Sequence, residues 1–145
     1  MPGANIVEHK LFIMEIYISE EAVVGDIQKR FREFYPYLQL VFYRNPHKKG
    51  ECSPKEEMIS SETPVDKIRM IHNFGWIDVS RYRLAAAIEH DFSHQFGLSV
   101  QILRKSDDLW LETTSTDNWT LEELNIAGRP VKRQRFQMPD EMEEE

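Results

Sequence analysis

The stretch Ile16–Tyr35, IYISEEAVVGDIQKRFREFY, returns 61 positions later as Ile77–Phe96, IDVSRYRLAAAIEHDFSHQF. Ile16, Ile18, Ser19, Val23, Val24, Ile27, Phe31 and Tyr35 meet Ile77, Val79, Ser80, Leu84, Ala85, Ile88, Phe92 and Phe96 at one constant offset. Past the helical part the offset shortens by one, so that Leu38, Leu40, Phe42 and Arg44 align with Leu98, Val100, Ile102 and Arg104. Apolar positions are kept while the polar ones between them change. Such a pattern predicts a structural unit used twice, each copy reading strand, helix, strand.

In the first unit (residues 11–44), Phe12, Met14, Ile16 and Ile18 alternate with Ile13, Glu15 and Tyr17, the period of a strand with two distinct faces. Ser19 is placed to cap a helix, and Glu20 and Glu21 suit its positive end. Val23, Val24, Ile27, Phe31 and Tyr35 then form one stripe, and Pro36 ends it. Leu38, Leu40 and Phe42 alternate with Gln39, Val41 and Tyr43 as a second strand. From Asn45 to Asn73 the pattern weakens; Thr63, Pro64 and Asp66 predict one short helix there. The second unit (residues 76–105) gives a strand at Trp76–Ser80, a helix at Leu84–Phe96 closed by Gly97, and a strand at Leu98–Lys105. Asp107 and Asp108 predict a hairpin turn into a further strand over 109–114, and Thr120 with Glu123 forms a capping box for a last short helix that Gly128 ends. The order β-α-β-β-α-β is that of the α+β ferredoxin-like arrangement, with both helices on one face of a single antiparallel sheet. The reading is one domain over residues 1–128 and a flexible charged tail over 129–145.

At 145 residues the chain is long enough to bury one core without disulfides or metal, and 41% hydrophobic with 30% charged residues is the balance of a globular domain. No apolar run approaches the roughly 18 residues of a membrane span, and Met1–Lys10 lacks a secretory pattern, so the expectation is a cytoplasmic protein without membrane contact. Cys52 is the single cysteine, which excludes an internal disulfide. A formal charge of −7 argues against general polyanion binding.

Phe96–Gln101 (Phe-Gly-Leu-Ser-Val-Gln), Arg104–Ser106 and Trp110–Thr114 (Trp-Leu-Glu-Thr-Thr) are similar to a strand pair carried by a group of small uncharacterised bacterial proteins. The resemblance spans the second half of the chain. It implies the fold and no activity.

If both helices cover one face of the sheet, the other carries Tyr17, Val41, Tyr43, Trp76, Asp78, Gln101, Leu103, Trp110 and Glu112. An open face that aromatic marks a contact surface. The expected function is therefore non-catalytic: binding of a protein partner, or of a second copy as a homodimer, with Tyr17, Tyr43, Trp76, Leu103 and Trp110 as anchors. Nucleic acid is disfavoured, because no RNP1-type segment is present and Asp78 and Glu112 repel phosphates. The alternative is a small-anion sensor or enzyme. Ser80, Arg81 and Arg83 lie at the start of the second helix, where free N–H groups and cations would suit a phosphate or carboxylate, although the glycine-rich loop of acylphosphatases is missing.

Two further clusters are read as ordinary surface. His90 and His94 are spaced for one metal, but both lie away from the apolar stripe on a wheel of about 100° per residue, and no third ligand is near. His47 and Cys52 share a loop with Lys48, Lys49 and Lys55 without an orienting third group. Arg129, Lys132, Arg133 and Arg135 are followed by acids and read as solvated tail. No cofactor and no metal is called for.

Overall fold

The computed structural model describes residues 13–44 and 58–130. Eight elements of α-helix and strand follow one another along them: β1 (Glu15–Ile18), α1 (Val24–Phe34), β2 (Leu38–Tyr43), β3 (Gly75–Asp78), α2 (Ala85–Phe96), β4 (Ser99–Ser106), β5 (Leu109–Glu112) and α3 (Leu121–Ala127). Single 3-10 turns occupy Val65–Lys67 and Thr114–Thr116. Leu11, Phe12, the His47–Cys52 cluster and the tail beyond Pro130 lie outside the described residues.

The architecture is mixed α+β, with two antiparallel sheets. The one-sheet ferredoxin-like order is not observed. β1 pairs with β3 as a ribbon, while β2, β4 and β5 form a three-stranded sheet in that order. Side-chain chemistry accounts for the partition. Leu40-Val41-Phe42-Tyr43 and Val100-Gln101-Ile102-Leu103 put large side chains on both faces, the pattern of strands buried on both sides. These two strands take each other as neighbours. β1 and β3 offer one apolar face each, through Ile16 and Ile18 and through Ile77, and remain a ribbon whose inner face closes the core. In the ladders Ile16 lies opposite Ile77 and Val41 opposite Gln101. Residues 61 or 60 apart in sequence thus face each other across the two central pairings.

Inner residues of both sheets and of α1, α2 and α3 enter one cluster. Phe31, Phe42, Phe92, Leu38, Leu40, Leu98 and Ile102 are fully buried in it. Phe42 of the first unit meets Phe92 of the second edge to face, with ring centroids 5.9 Å apart. At the far end Tyr35 donates its hydroxyl proton to the Val79 carbonyl at 2.5 Å, tying the end of α1 to the exit of β3. Burial pushes the Tyr35 phenol above its ordinary range.

The helix starts differ from the expectation. Ser19 does not cap α1, and Glu20 and Glu21 precede the helix: the N-cap is Val23, with no side-chain hydrogen bond. Instead Val24 and Gly25 donate their N–H groups to the carbonyls of Thr63 and Ser61. The second unit repeats the device, with Leu84 as N-cap and Ala85 and Ala86 donating to Trp119 and Asp117. Two orphan donors of each first turn are met by backbone from a downstream segment. The approach is close enough that a Cβ on Gly25 would lie 2.8 Å from the Ser61 oxygen. Those downstream segments then turn inward, burying Val65 in one case and Leu121 and Leu124 in the other. Thr63 supplies its carbonyl, and Pro64 is the N-cap of the 3-10 turn. The Thr120–Glu123 capping box forms as expected. At the end of α2, Gly97 takes the left-handed conformation at φ 66°.

Each segment also reaches the other unit. Arg69, buried, donates to the carbonyls of Asn73 at 2.8 Å and Phe96 at 3.2 Å and pairs with Asp66 at 2.7 Å. Asn125 accepts the N–H of Tyr37 at 3.0 Å. The hydrogen bond from the Arg69 guanidinium holds the Asp66 carboxyl below the usual carboxylate range.

Two outcomes follow from these ties. Tyr35→Phe is expected to lower the unfolding free energy by about 1–2 kcal/mol in urea titrations, because the buried Val79 carbonyl loses its donor. Asp66 has a lower pKa folded than unfolded, so its contribution is complete above the unfolded value and disappears as pH falls through the folded one. The parent chain is therefore expected to lose thermal stability below about pH 4, and Asp66→Asn to flatten that loss in melting curves across pH.

Candidate docking surface

The nine residues expected to share one open face are divided by the sheet partition. Val41 and Tyr43 are 3% exposed and Gln101 is 0% exposed, so the middle of the second face of β2 and β4 is interior. Tyr43 is therefore not an available anchor. The signal was in the sequence: two unbroken apolar pairs, Leu40-Val41 and Phe42-Tyr43, depart from alternation. Leu103 and Trp110 are half-buried. Trp110 stands opposite Lys105 in the β4–β5 ladder, and its ring faces Arg32 at 5.1 Å and the Lys105 ammonium at 5.7 Å. Its π-surface already has cations on it.

Tyr17 and Trp76 are different. They are cross-strand partners in the β1–β3 ribbon, 44% and 60% exposed, with ring centroids 5.1 Å apart in an edge-to-face pair. The register explains the closeness. Val79 N–H donates to Met14 O, so the even-numbered residues of β1 exchange hydrogen bonds with β3 and Tyr17–Trp76 is a non-hydrogen-bonded pair, the type with the shorter separation. Trp76 also borders a shallow cleft with Phe74, His94 and Gln95. Phe74, Met70 and Ile71, in the segment entering β3, are exposed as well.

The residues of the anion alternative are used internally. Ser80 donates both its N–H and its hydroxyl to the Asp78 carboxylate. Arg83 donates to the Asp78 carbonyl at 2.9 Å and pairs with Asp91 at 2.6 Å. Arg81 is exposed and has interactions of its own. The helix itself begins at Ala85, and the N–H groups of Ala85 and Ala86 end on the Trp119 and Asp117 carbonyls, so the donors an anion would need there are occupied.

His90 and His94 are exposed and stack in parallel, 5.3 Å apart with 10° between the ring planes. Among the described residues no group of three or more His, Cys, Asp or Glu side chains could hold a metal ion, and no helix is long and apolar enough to cross a membrane. Compared with protein-family models, with curated proteins and with solved structures, the chain matches none.

Gln101 carries a cost that sequence reasoning did not anticipate. Neither its amide nitrogen nor its amide oxygen has a hydrogen-bond partner among the described residues. Burying such a group unpaired is unfavourable. Gln101→Met, close in volume and without the amide, is expected to raise the unfolding free energy by about 1–2 kcal/mol in chemical denaturation.

Proposed function

We propose that this protein is a non-catalytic binding module whose docking surface is the outer face of the β1–β3 ribbon, with Tyr17 and Trp76 as its anchors. One observation carries the reading: two large aromatic side chains stand together on a ribbon, exposed, beside a sheet whose own second face is buried at Val41, Tyr43 and Gln101. Aromatic side chains give the most binding energy per residue at protein interfaces, because they bury a large area with few rotors to fix. Exposed Phe74 next to Trp76 extends the apolar area in the direction of α2. A second copy of the chain is one partner that such a surface fits, since an isologous contact needs only a self-complementary patch.

The self-association form of the proposal is open to direct measurement. Sedimentation velocity across the micromolar range is expected to show a mass that rises with concentration. Trp76→Ser and Tyr17→Ser are each expected to weaken the association by about 2 kcal/mol, the scale of an aromatic anchor. Trp110→Ser is expected to leave it unchanged. A chain that stays monomeric throughout, or one whose association is indifferent to Trp76, would overturn it.

A further inference from the structure

Ala22 and Arg83 occupy the same place in the two units. Each donates its N–H to a serine carbonyl three residues earlier, Ser19 or Ser80. Each accepts at its own carbonyl from the incoming downstream segment, Val65 or Leu121. The helix begins two residues later in both units. What differs is the side chain. In the second unit the Arg83 guanidinium folds over the outer edge of β3, bonding the Asp78 carbonyl and the Asp91 carboxylate. The counterpart of that carbonyl is Tyr17 C=O on β1. By the alternation that Val79 N–H to Met14 O fixes, Glu15 and Tyr17 direct their backbone groups away from β3, toward the other edge of β1. No strand pairs with that edge among the described residues.

Where Arg83 fills its unit, alanine leaves a groove in the other. It has a volume of about 420 Å³ and runs between the edge of β1 and α1. Glu15, Tyr17, Glu21, Asp26, Arg30 and Trp76 line it. Its charge is unbalanced. Three carboxylates face one guanidinium, and Arg30 is paired with Glu33 at 2.9 Å and lies over the Phe34 ring.

We infer that this groove receives an extended, arginine-bearing segment of a protein partner, which adds to the ribbon as a strand along β1 and places a guanidinium where Arg83 stands in the other unit. Backbone pairing to Glu15 and Tyr17 supplies affinity, as in other strand-addition interfaces. The carboxylates and the Tyr17 carbonyl select the cation, and arginine exceeds lysine there because its planar fork serves two acceptors at once. The inference rests on the docking reading above and specifies its partner. It accounts for Tyr17 and Trp76 lining the same groove: their rings flank the incoming strand.

The test uses acetylated, amidated peptides of alternating valine with arginine, lysine or glutamate, followed by heteronuclear NMR on the full chain. The arginine peptide is expected to bind saturably, shifting the amides of Glu15 and Tyr17 and the Trp76 indole; the lysine peptide should bind more weakly and the glutamate peptide not at all. Ala22→Arg, which supplies the guanidinium from within, is expected to reduce affinity by about tenfold or more. Ala22→Arg with Arg30→Asp rebuilds the Arg83–Asp91 pair and is expected to block the groove with a raised Tm. Should either chain fail to fold, Glu21→Gln with Asp26→Asn provides the second arm, again with weakened arginine-peptide binding and no change in fold. Absence of binding, shifts centred on Trp110, or affinity indifferent to Ala22→Arg or to the loss of the two carboxylates would overturn the inference. So would an Ala22→Arg chain that loses self-association, which would make a second copy the occupant of the edge. A chain whose association still depends on Trp76 but which leaves the peptide unbound loses this inference and keeps the docking face.

Discussion

The first turns of two helices impose the constraint around which this molecule is arranged. α1 and α2 begin at Val24 and Ala85 after apolar N-caps, so no side chain meets their leading N–H groups. Carbonyls of residues 61 and 63 do so for α1, and carbonyls of 117 and 119 for α2. To bring those carbonyls in, the chain must return after β2 and after β5 to the helix starts. Having returned, it buries Val65, Leu121 and Leu124. Each returning segment then fastens the opposite unit, through Arg69 to Phe96 and through Asn125 to Tyr37. Capping, core closure and the union of the two units are one set of bonds seen at three places.

Two units built alike need not do the same thing. Where their backbone hydrogen bonds match, as at Ala22 and Arg83, a difference in side chain becomes a difference in surface. Arg83 covers a strand edge with its own guanidinium and neutralises it with Asp91, the kind of protection that keeps an exposed edge from pairing. Alanine leaves the corresponding edge without a pairing strand among the described residues, beside acidic side chains. Around it stand the only two aromatic rings of the ribbon, Tyr17 and Trp76. In the proposed reading, binding belongs to one edge and is withheld from the other.

Electrostatics sharpens the contrast between interior and surface. Arg69 and Asp66 form a pair in which the guanidinium is buried and its hydrogen-bonding groups are largely used, so the charge acts as a structural bracket. Trp110 has cations of the same chain over its face. Gln101, by contrast, is a buried amide whose polar atoms find no bond among the described residues, placed across from Val41 in the central ladder. A sheet whose centre is buried on both faces accepts such a residue only at some expense in stability.

Residue order alone specifies the elements. Periods of two and of three to four, a proline after Tyr35, a glycine after Phe96 and the Thr120–Glu123 box are local signals, and a helix or strand forms wherever such signals agree. At Ala22 and Arg83, positions 61 apart, the backbone hydrogen bonds match. Pairing and cover come from long-range contacts: β1 with β3 and β2 with β4 in separate sheets, the carbonyls that replaced Ser19 as the cap, and the burial of Tyr43 beside the exposure of Tyr17. Alternation tells which side chains share a face of a strand, but whether water or protein lies against that face depends on segments distant in sequence, and these meet only when the chain has closed.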